Sequence, residues 1–353
     1  MPPTMKAAVY HGARDIRIEI VPVPTRGKGE ALVRVLRSGI CGTDASEWSV
    51  GPRTFPVERR HPISGHLGPI IPGHEFVGEI VAADPESDLV VGALVASGAG
   101  VWCGHCRRCN AGRPNQCVSY KTLGLNVNGG MAEYVAVPSM TLRQLPHGMS
   151  VDHAGLAQPL AVGIHAARRS GARNGDRVVV VGAGAIGSFV LAGLKHLFEV
   201  DVTVIDFPGD RLARATRLGA DRTVSQSATI GADLTAAFGG AKPDVVIEAS
   251  GAPGQLASAL QMVTGGGRVL AVGIPKEQAA LDIHSLVFRE ITLETTLAHV
   301  CDTDLPAALE VLAGGTVGNE FAEAPVGLDH LTSSLDRLAA GAVAGKILID
   351  PGI

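Results

Sequence analysis

Cys103, Cys106, Cys109 and Cys117 follow one another in a C-x2-C-x2-C-x7-C spacing. Four thiolates in so short a segment can close a tetrahedral zinc shell with no open position, which is structural rather than catalytic chemistry. The competing reading is two disulfides or four inert thiols. Clustering of four of the six cysteines favours metal binding in a reducing compartment. A second set is dispersed: Cys41, close to Gly39, Thr43 and Asp44; the adjacent pair His74 and Glu75; and Gln158, next to Pro159 and Leu160. Taken singly, each has an ordinary explanation, since a lone Cys is usually buried apolar filler and a lone His a core or surface residue.

The third motif is a glycine turn. The apolar run Arg177 to Val181 leads into Gly182, Ala183, Gly184, Ala185, Ile186 and Gly187, a G-x-G-x-x-G spacing followed by the helix-compatible segment Ser188 to Leu197. The three glycines suit a tight turn, close backbone approach to a pyrophosphate, and close packing of helix on strand, with the anion at the helix N-terminus. A lone motif of this kind is weak. Here a second apolar run ends in Asp206, where a ribose-binding acid belongs. An ordinary glycine turn with Asp206 as a helix cap is the bland alternative. Asp206 would repel a 2'-phosphate and is followed by Phe207, which favours NAD over NADP; Arg211 stands near enough to bear on that choice.

The elements that must position these residues differ along the chain. From Lys6 to about Pro159, short β-type runs such as Ala31 to Val35 and Phe76 to Val81 are punctuated by Gly and Pro, the pattern of an all-β, barrel-like domain. From about Leu160 to Leu293, apolar strands at Arg177 to Val181, Val202 to Ile205, Val245 to Ile247 and Arg268 to Val272 alternate with helical stretches, which implies βαβ units and a parallel sheet. The remainder is less regular, with a helix expected near Leu305 to Ala313 and a final strand at Lys346 to Ile349.

Composition agrees with two domains: 353 residues exceed what one core usually supports, and 46% hydrophobic against 18% charged residues, with 45 glycines, suits buried strands and tight turns. The net charge of -4, without a basic stripe, argues against a nucleic-acid partner. The apolar uncharged stretch Val178 to Leu194 is broken by glycines and too short to span a membrane. The N-terminus lacks the pattern of a secretory signal, so a cytoplasmic location is expected.

Together these motifs resemble the zinc-containing medium-chain alcohol dehydrogenases over nearly the whole chain, and within them the butanediol and sorbitol dehydrogenases. Cys41, Thr43 and Asp44 followed by Glu47, Trp48, Gly51 and Pro52, the segment His61 to Gly65 ahead of Gly73, His74 and Glu75, and Thr296 to His299 are similar to the butanediol branch; Pro159 to Arg169 is similar to the sorbitol branch. The resemblance implies a GroES-like β-barrel catalytic domain at 1–159, completed by 294–353, and a Rossmann-type, doubly wound parallel-sheet NAD-binding domain at 160–293. It implies a catalytic zinc held by Cys41, His74 and Glu75, with Gln158 as a candidate further ligand, a structural zinc on the four-cysteine lobe, and Thr43 as the hydroxyl that passes the alcohol proton outward. Thr43 also reads as a plain turn hydroxyl.

The activity implied is hydride transfer between a small-molecule secondary alcohol, a diol or polyol, and NAD, giving a ketone. A sugar (aldose) dehydrogenase, an amino-alcohol dehydrogenase or a noncatalytic NAD-binding module are the alternatives. A homo-oligomer, tetramer or dimer, is implied by the same resemblance. Two positions depart from those relatives: Gln158 stands where they generally have Glu, and Ser46 where a relay His is common. Trp48, Phe55, Leu297 and His299 are equally readable as pocket walls or packing.

Overall fold

A computed structural model describes residues 2–226, 237–275 and 277–353. The chain divides into two units, Met1–Gln158 with Val300–Ile353, and Pro159–His299.

In the first unit the strand Glu30–Gly39 is the organising element. Ala31, Val33 and Val35 are buried along it while Arg34 is exposed, and they pack with Phe76, Ile80, Val95, Val135, Val137 and Leu142 into one core. The strand pairs antiparallel with Glu75–Ala83 along its length, and with Tyr134–Pro138 and Leu348–Asp350 on its other edge. The resulting seven-stranded sheet thus takes its last strands from the end of the chain. Its register sets Gly39 directly opposite Glu75, which brings the residues after Gly39 alongside His74 and Glu75.

The all-β pattern read from Lys6 to Pro159 is interrupted by a helix, Gly42–Val50. Asp44 starts it: the carboxylate accepts a hydrogen bond from the Cys41 backbone N–H at 2.9 Å, reciprocating the bond at the N-cap. Ala45 and Trp48 then bury one face against the C-terminal helix Leu331–Ala339, with Trp48 Nε1 donating to Asp336 at 2.8 Å. The helix expected near Leu305 begins earlier, at Cys301, because the buried Asp304 carboxylate accepts from the Val300 N–H at 2.7 Å.

The second unit is a six-stranded, wholly parallel sheet in the spatial order Arg222–Ser225, Asp201–Asp206, Arg177–Val181, Val245–Glu248, Arg268–Ala271, Thr292–Thr295. Val178 to Val181 are all buried, as expected of a central parallel strand covered on both faces. The order reverses direction between Arg177–Val181 and Val245–Glu248, and such a switch point opens a crevice at the carboxyl ends of the strands.

Candidate active site

Cys41 is the N-cap of the helix Gly42–Val50, and His74 and Glu75 begin the strand paired with Gly39. This arrangement brings one donor atom from each of Cys41, His74 and Glu75 within 4.8 Å of the others. Sulfur, imidazole nitrogen and carboxylate oxygen are a donor set suited to zinc, and three protein ligands are the number a catalytic site uses.

Cys41, Asp44 and Glu75, three groups that can carry negative charge, crowd the site against the single lysine Lys346. Burial presses the His74 imidazole toward neutrality, yet the charges of Asp44, Cys41 and Glu75 outweigh it and lift its pKa to about 10. Asp44, 3.8 Å from His74 Nδ1, is itself pushed upward by burial despite that neighbour. A divalent cation would supply the missing charge. Thr43 Oγ1 lies 4.0 Å from Cys41 Sγ, one residue into the helix, while Ser46 is half-buried further along it. Gln158 is buried at the second position of the helix Ala157–Arg169.

In the four-cysteine lobe, Sγ separations are 3.6 Å for Cys106 to Cys109, 3.9 Å for Cys106 to Cys117 and 4.0 Å for Cys103 to Cys109. A tetrahedron with zinc–sulfur bonds near 2.3 Å has edges of about 3.8 Å. No pair is a disulfide; all six cysteines are free. The Cys109 and Val118 N–H groups point at the Cys106 sulfur and lower its pKa to about 6, favouring the thiolate that a metal requires.

In the parallel-sheet unit each glycine of the turn has a distinct steric reason. Gly182 has φ +96°, and a Cβ there would meet Ser250 at 3.0 Å; a Cβ on Gly187 would sit 1.8 Å from the Gly182 carbonyl oxygen. Gly184, the N-cap of the helix Ala185–Leu197, faces open space instead, the room a pyrophosphate needs above Ala185 and Ile186. Asp206 is buried at the end of its strand and accepts from the Ala183 and Phe207 N–H groups, each at 2.6 Å. The Arg211 guanidinium lies 4.0 Å from it and is over half exposed.

Two family models match the chain in agreement with this geometry: an alcohol dehydrogenase GroES-like domain over residues 27–147 and a zinc-binding dehydrogenase over 185–314. The chain belongs to the zinc-binding alcohol dehydrogenase family. This dehydrogenase is 31% identical to an erythritol/L-threitol dehydrogenase of Mycolicibacterium smegmatis, over 99% of both chains. It is 32% identical to a sorbitol dehydrogenase of Bacillus subtilis, over 90% of this chain and 88% of that one. The crystal structure of 2R,3R-butanediol dehydrogenase from Bacillus subtilis superposes with a TM-score of 0.89 at 30% identity, covering 98% of this chain and 99% of that chain.

The dehydrogenase has one site residue that its sequence did not point to. Lys346, 9% exposed, places Nζ against Glu75 Oε2. Burial disfavours its ammonium form, but Glu75 and Cys41 prevail and raise its pKa. The contact fits because Gly39 lacks a side chain: a Cβ there would stand 2.5 Å from Glu75 Oε2 and 3.1 Å from Lys346 Cε. Asp44 was in view only as a neighbour of Cys41, although its spacing three residues past the N-cap is a readable capping signal. Trp48 and Phe55 are packing residues: Trp48 sits in the hydrophobic core, and Phe55 meets Tyr10 edge to face at 4.8 Å. Leu297 is exposed and His299 buried.

Proposed function

We propose that this protein is an NAD-dependent zinc dehydrogenase that oxidises a secondary hydroxyl of a diol or polyol to a ketone. The observation that carries the reading is the convergence of Cys41, His74 and Glu75 at one buried point, in a chain that also carries a dinucleotide-type glycine turn ending on Asp206. The domain limits that go with it are a catalytic domain of 1–159 completed by 294–353 and an NAD-binding domain of 160–293.

When bound, zinc supplies a Lewis acid that makes an alcohol oxygen acidic near neutral pH, and NAD supplies the hydride acceptor. Cys41, His74 and Glu75 hold the metal. Gln158 is assigned to the same metal as a neutral amide, so the thiolate and one carboxylate match the two positive charges of zinc. Asp44 fixes Cys41 through its backbone and faces His74, and Lys346 holds one oxygen of Glu75. Thr43 Oγ1, beside Cys41 Sγ, is assigned to accept the hydroxyl proton and pass it outward, with Ser46 or water as the next carrier. Cys103, Cys106, Cys109 and Cys117 hold a second zinc, whose role is structural. Gly182, Gly184, Ala185, Ile186 and Gly187 seat the pyrophosphate; Asp206, with Arg211 nearby, reads the ribose.

A cytoplasmic homo-oligomer, dimer or tetramer, completes the reading. Six free thiols suit a reducing compartment, and no helix among the described residues is long and apolar enough to cross a membrane. Ile274, Val287 and Phe288 are more than two-thirds exposed near the sheet-edge strand Thr292–Thr295, a surface suited to a partner copy.

The test is NADH formation by zinc-analysed protein on 2,3-butanediol stereoisomers, erythritol, sorbitol, xylitol, threonine and glucose, with NADP in parallel. Turnover of a diol or polyol with NAD, abolished in Cys41→Ser and depressed in Thr43→Val, is expected. Exclusive turnover of glucose or threonine would overturn the substrate class, and no turnover of any alcohol by zinc-loaded protein would overturn the activity.

A further inference from the structure

The segment between Cys41 and His74 builds a second feature that the zinc chemistry does not use. Residues 52–62 enclose a hollow of about 310 Å³ lined by Arg53, Glu58, Arg59, Arg60 and His61, with Pro52, Thr54, Phe55, Pro56 and Pro62 completing the wall. The lining holds three arginines and one carboxylate, Glu58, all four side chains exposed. Arg60 donates to the Gly65 carbonyl at 2.6 Å, which spends one of its five N–H groups. Among the described residues, no carboxylate stands within ion-pair distance of Arg53, Arg59 or Arg60.

The loop that carries these charges is held firmly. Glu47, 1% exposed, turns its carboxylate onto the backbone, accepting from the Arg53 N–H at 2.9 Å and the Thr54 N–H at 2.6 Å. Its charge is thereby spent on the main chain. The Tyr10 hydroxyl donates to the Glu47 carbonyl at 2.9 Å, and Phe55 packs against the same tyrosine ring. The Gly68 N–H returns to the Pro56 carbonyl, and Ser64 Oγ donates to the Asn126 carbonyl. The backbone of the hollow is thus fixed, and its rim carries three exposed guanidiniums, forked donors suited to an oxyanion.

Glu47 also ties the loop to the helix that Cys41 caps, six residues past Cys41 or about 9 Å along the helix axis.

We propose that the hollow at 52–62 is an oxyanion-binding site, taking a carboxylate or phosphate group through Arg53, Arg59 and Arg60. The group is either the charged end of the alcohol substrate or a free anion. The first source rests on the dehydrogenase reading above, and the site itself does not.

The experiment is calorimetric titration of the intact protein with inorganic phosphate, comparing wild type, Arg53→Ala/Arg59→Ala, and Arg173→Ala as an exposed control outside the loop. Loss of two charge-assisted contacts is expected to weaken phosphate binding at least tenfold, on the order of the affinity lost with even one such bond, while Arg173→Ala binds as wild type. Should the double variant melt early, Arg59→Gln alone, which keeps length and polarity, is titrated instead. No phosphate binding by wild type, or unaltered binding in the loop variants, overturns the site. In initial-rate assays, phosphate that competes with the alcohol, together with preference for a sugar acid or sugar phosphate over its neutral polyol, assigns the site to the substrate's own charge. Phosphate that binds without competing assigns it to a free anion. Binding is read without turnover, so an inactive protein would sink the dehydrogenase reading and leave the site standing.

Discussion

Lys346 and Glu75 form a buried ion pair across the glycine gap at Gly39, joining the lead-in to the final strand of the chain to a residue assigned as a metal ligand. Removing one member of such a pair strands the other charge in the interior, at a cost of about 3–5 kcal/mol. A cation bound at Cys41, His74 and Glu75 would relieve part of that cost. Lys346→Met is therefore expected to melt well below wild type when stripped of metal and to recover more than wild type on adding zinc. Equal zinc-induced gains in melting temperature for the two proteins would show that Glu75 does not meet the metal.

The glycines of the nucleotide turn separate folding from binding. Gly187→Ala puts a methyl 1.8 Å from a backbone oxygen and should destabilise the fold by more than about 3 kcal/mol. Gly184→Ala meets nothing and has an ordinary φ of -65°. Its melting temperature should stay near that of wild type while its affinity for NADH, followed by fluorescence titration, falls. An unchanged NADH affinity would place the pyrophosphate elsewhere.

Gln158 gives a test on the pH axis. On the proposed assignment of Gln158 to the metal, replacing it with Glu adds a negative charge to the donor set and weakens the acidifying power of the ion. The alkaline-going limb of the kcat profile should move upward by about one pH unit, with zinc content unchanged by metal analysis. A limb that stays in place would mean that Gln158 does not sense the site.

Asp244 is held below the usual carboxylate range chiefly by the Arg177 guanidinium, which it accepts in a fork with both contacts at 2.9 Å, and also by the Arg177 backbone N–H. A depressed folded-state pKa stabilises the protein above the unfolded value near 3.9 and loses that stabilisation as pH falls through the folded value. The pair is about a third exposed, so screening limits it to about 1 kcal/mol. Asp244→Asn should melt lower than wild type at neutral pH, and the difference should close as acidification protonates the folded-state carboxylate. A gap that persists after that protonation would assign the loss to packing.

What the sequence disclosed follows the distance over which each feature is built. The four cysteines lie within one short segment, and the glycine turn, its strand and Asp206 form one βαβ unit, so their geometry is nearly dictated by local spacing. The observed strands Arg177–Val181 and Val245–Glu248 fall where apolar runs placed them. The helix Gly42–Val50 was hidden because its two buried apolar positions, Ala45 and Trp48, are too few to mark a helical face in a segment surrounded by strands. Lys346 was hidden for a different reason: its partner is 271 positions away in the chain, and a lysine near a C-terminal strand ordinarily reads as a solvated edge charge.

One helix end carries Cys41, and a turn and a half further on Glu47 pins the loop bearing Arg53, Arg59 and Arg60. An α-helix barely stretches, so the interval between Cys41 and the carboxylate that pins the loop is set by a count of residues. The segment works as a ruler. Where the hollow takes the charged end of the alcohol, as proposed, discrimination among alcohols is expected to fall first on how many carbons separate the reactive hydroxyl from that end, and only then on the handedness of the hydroxyls in between.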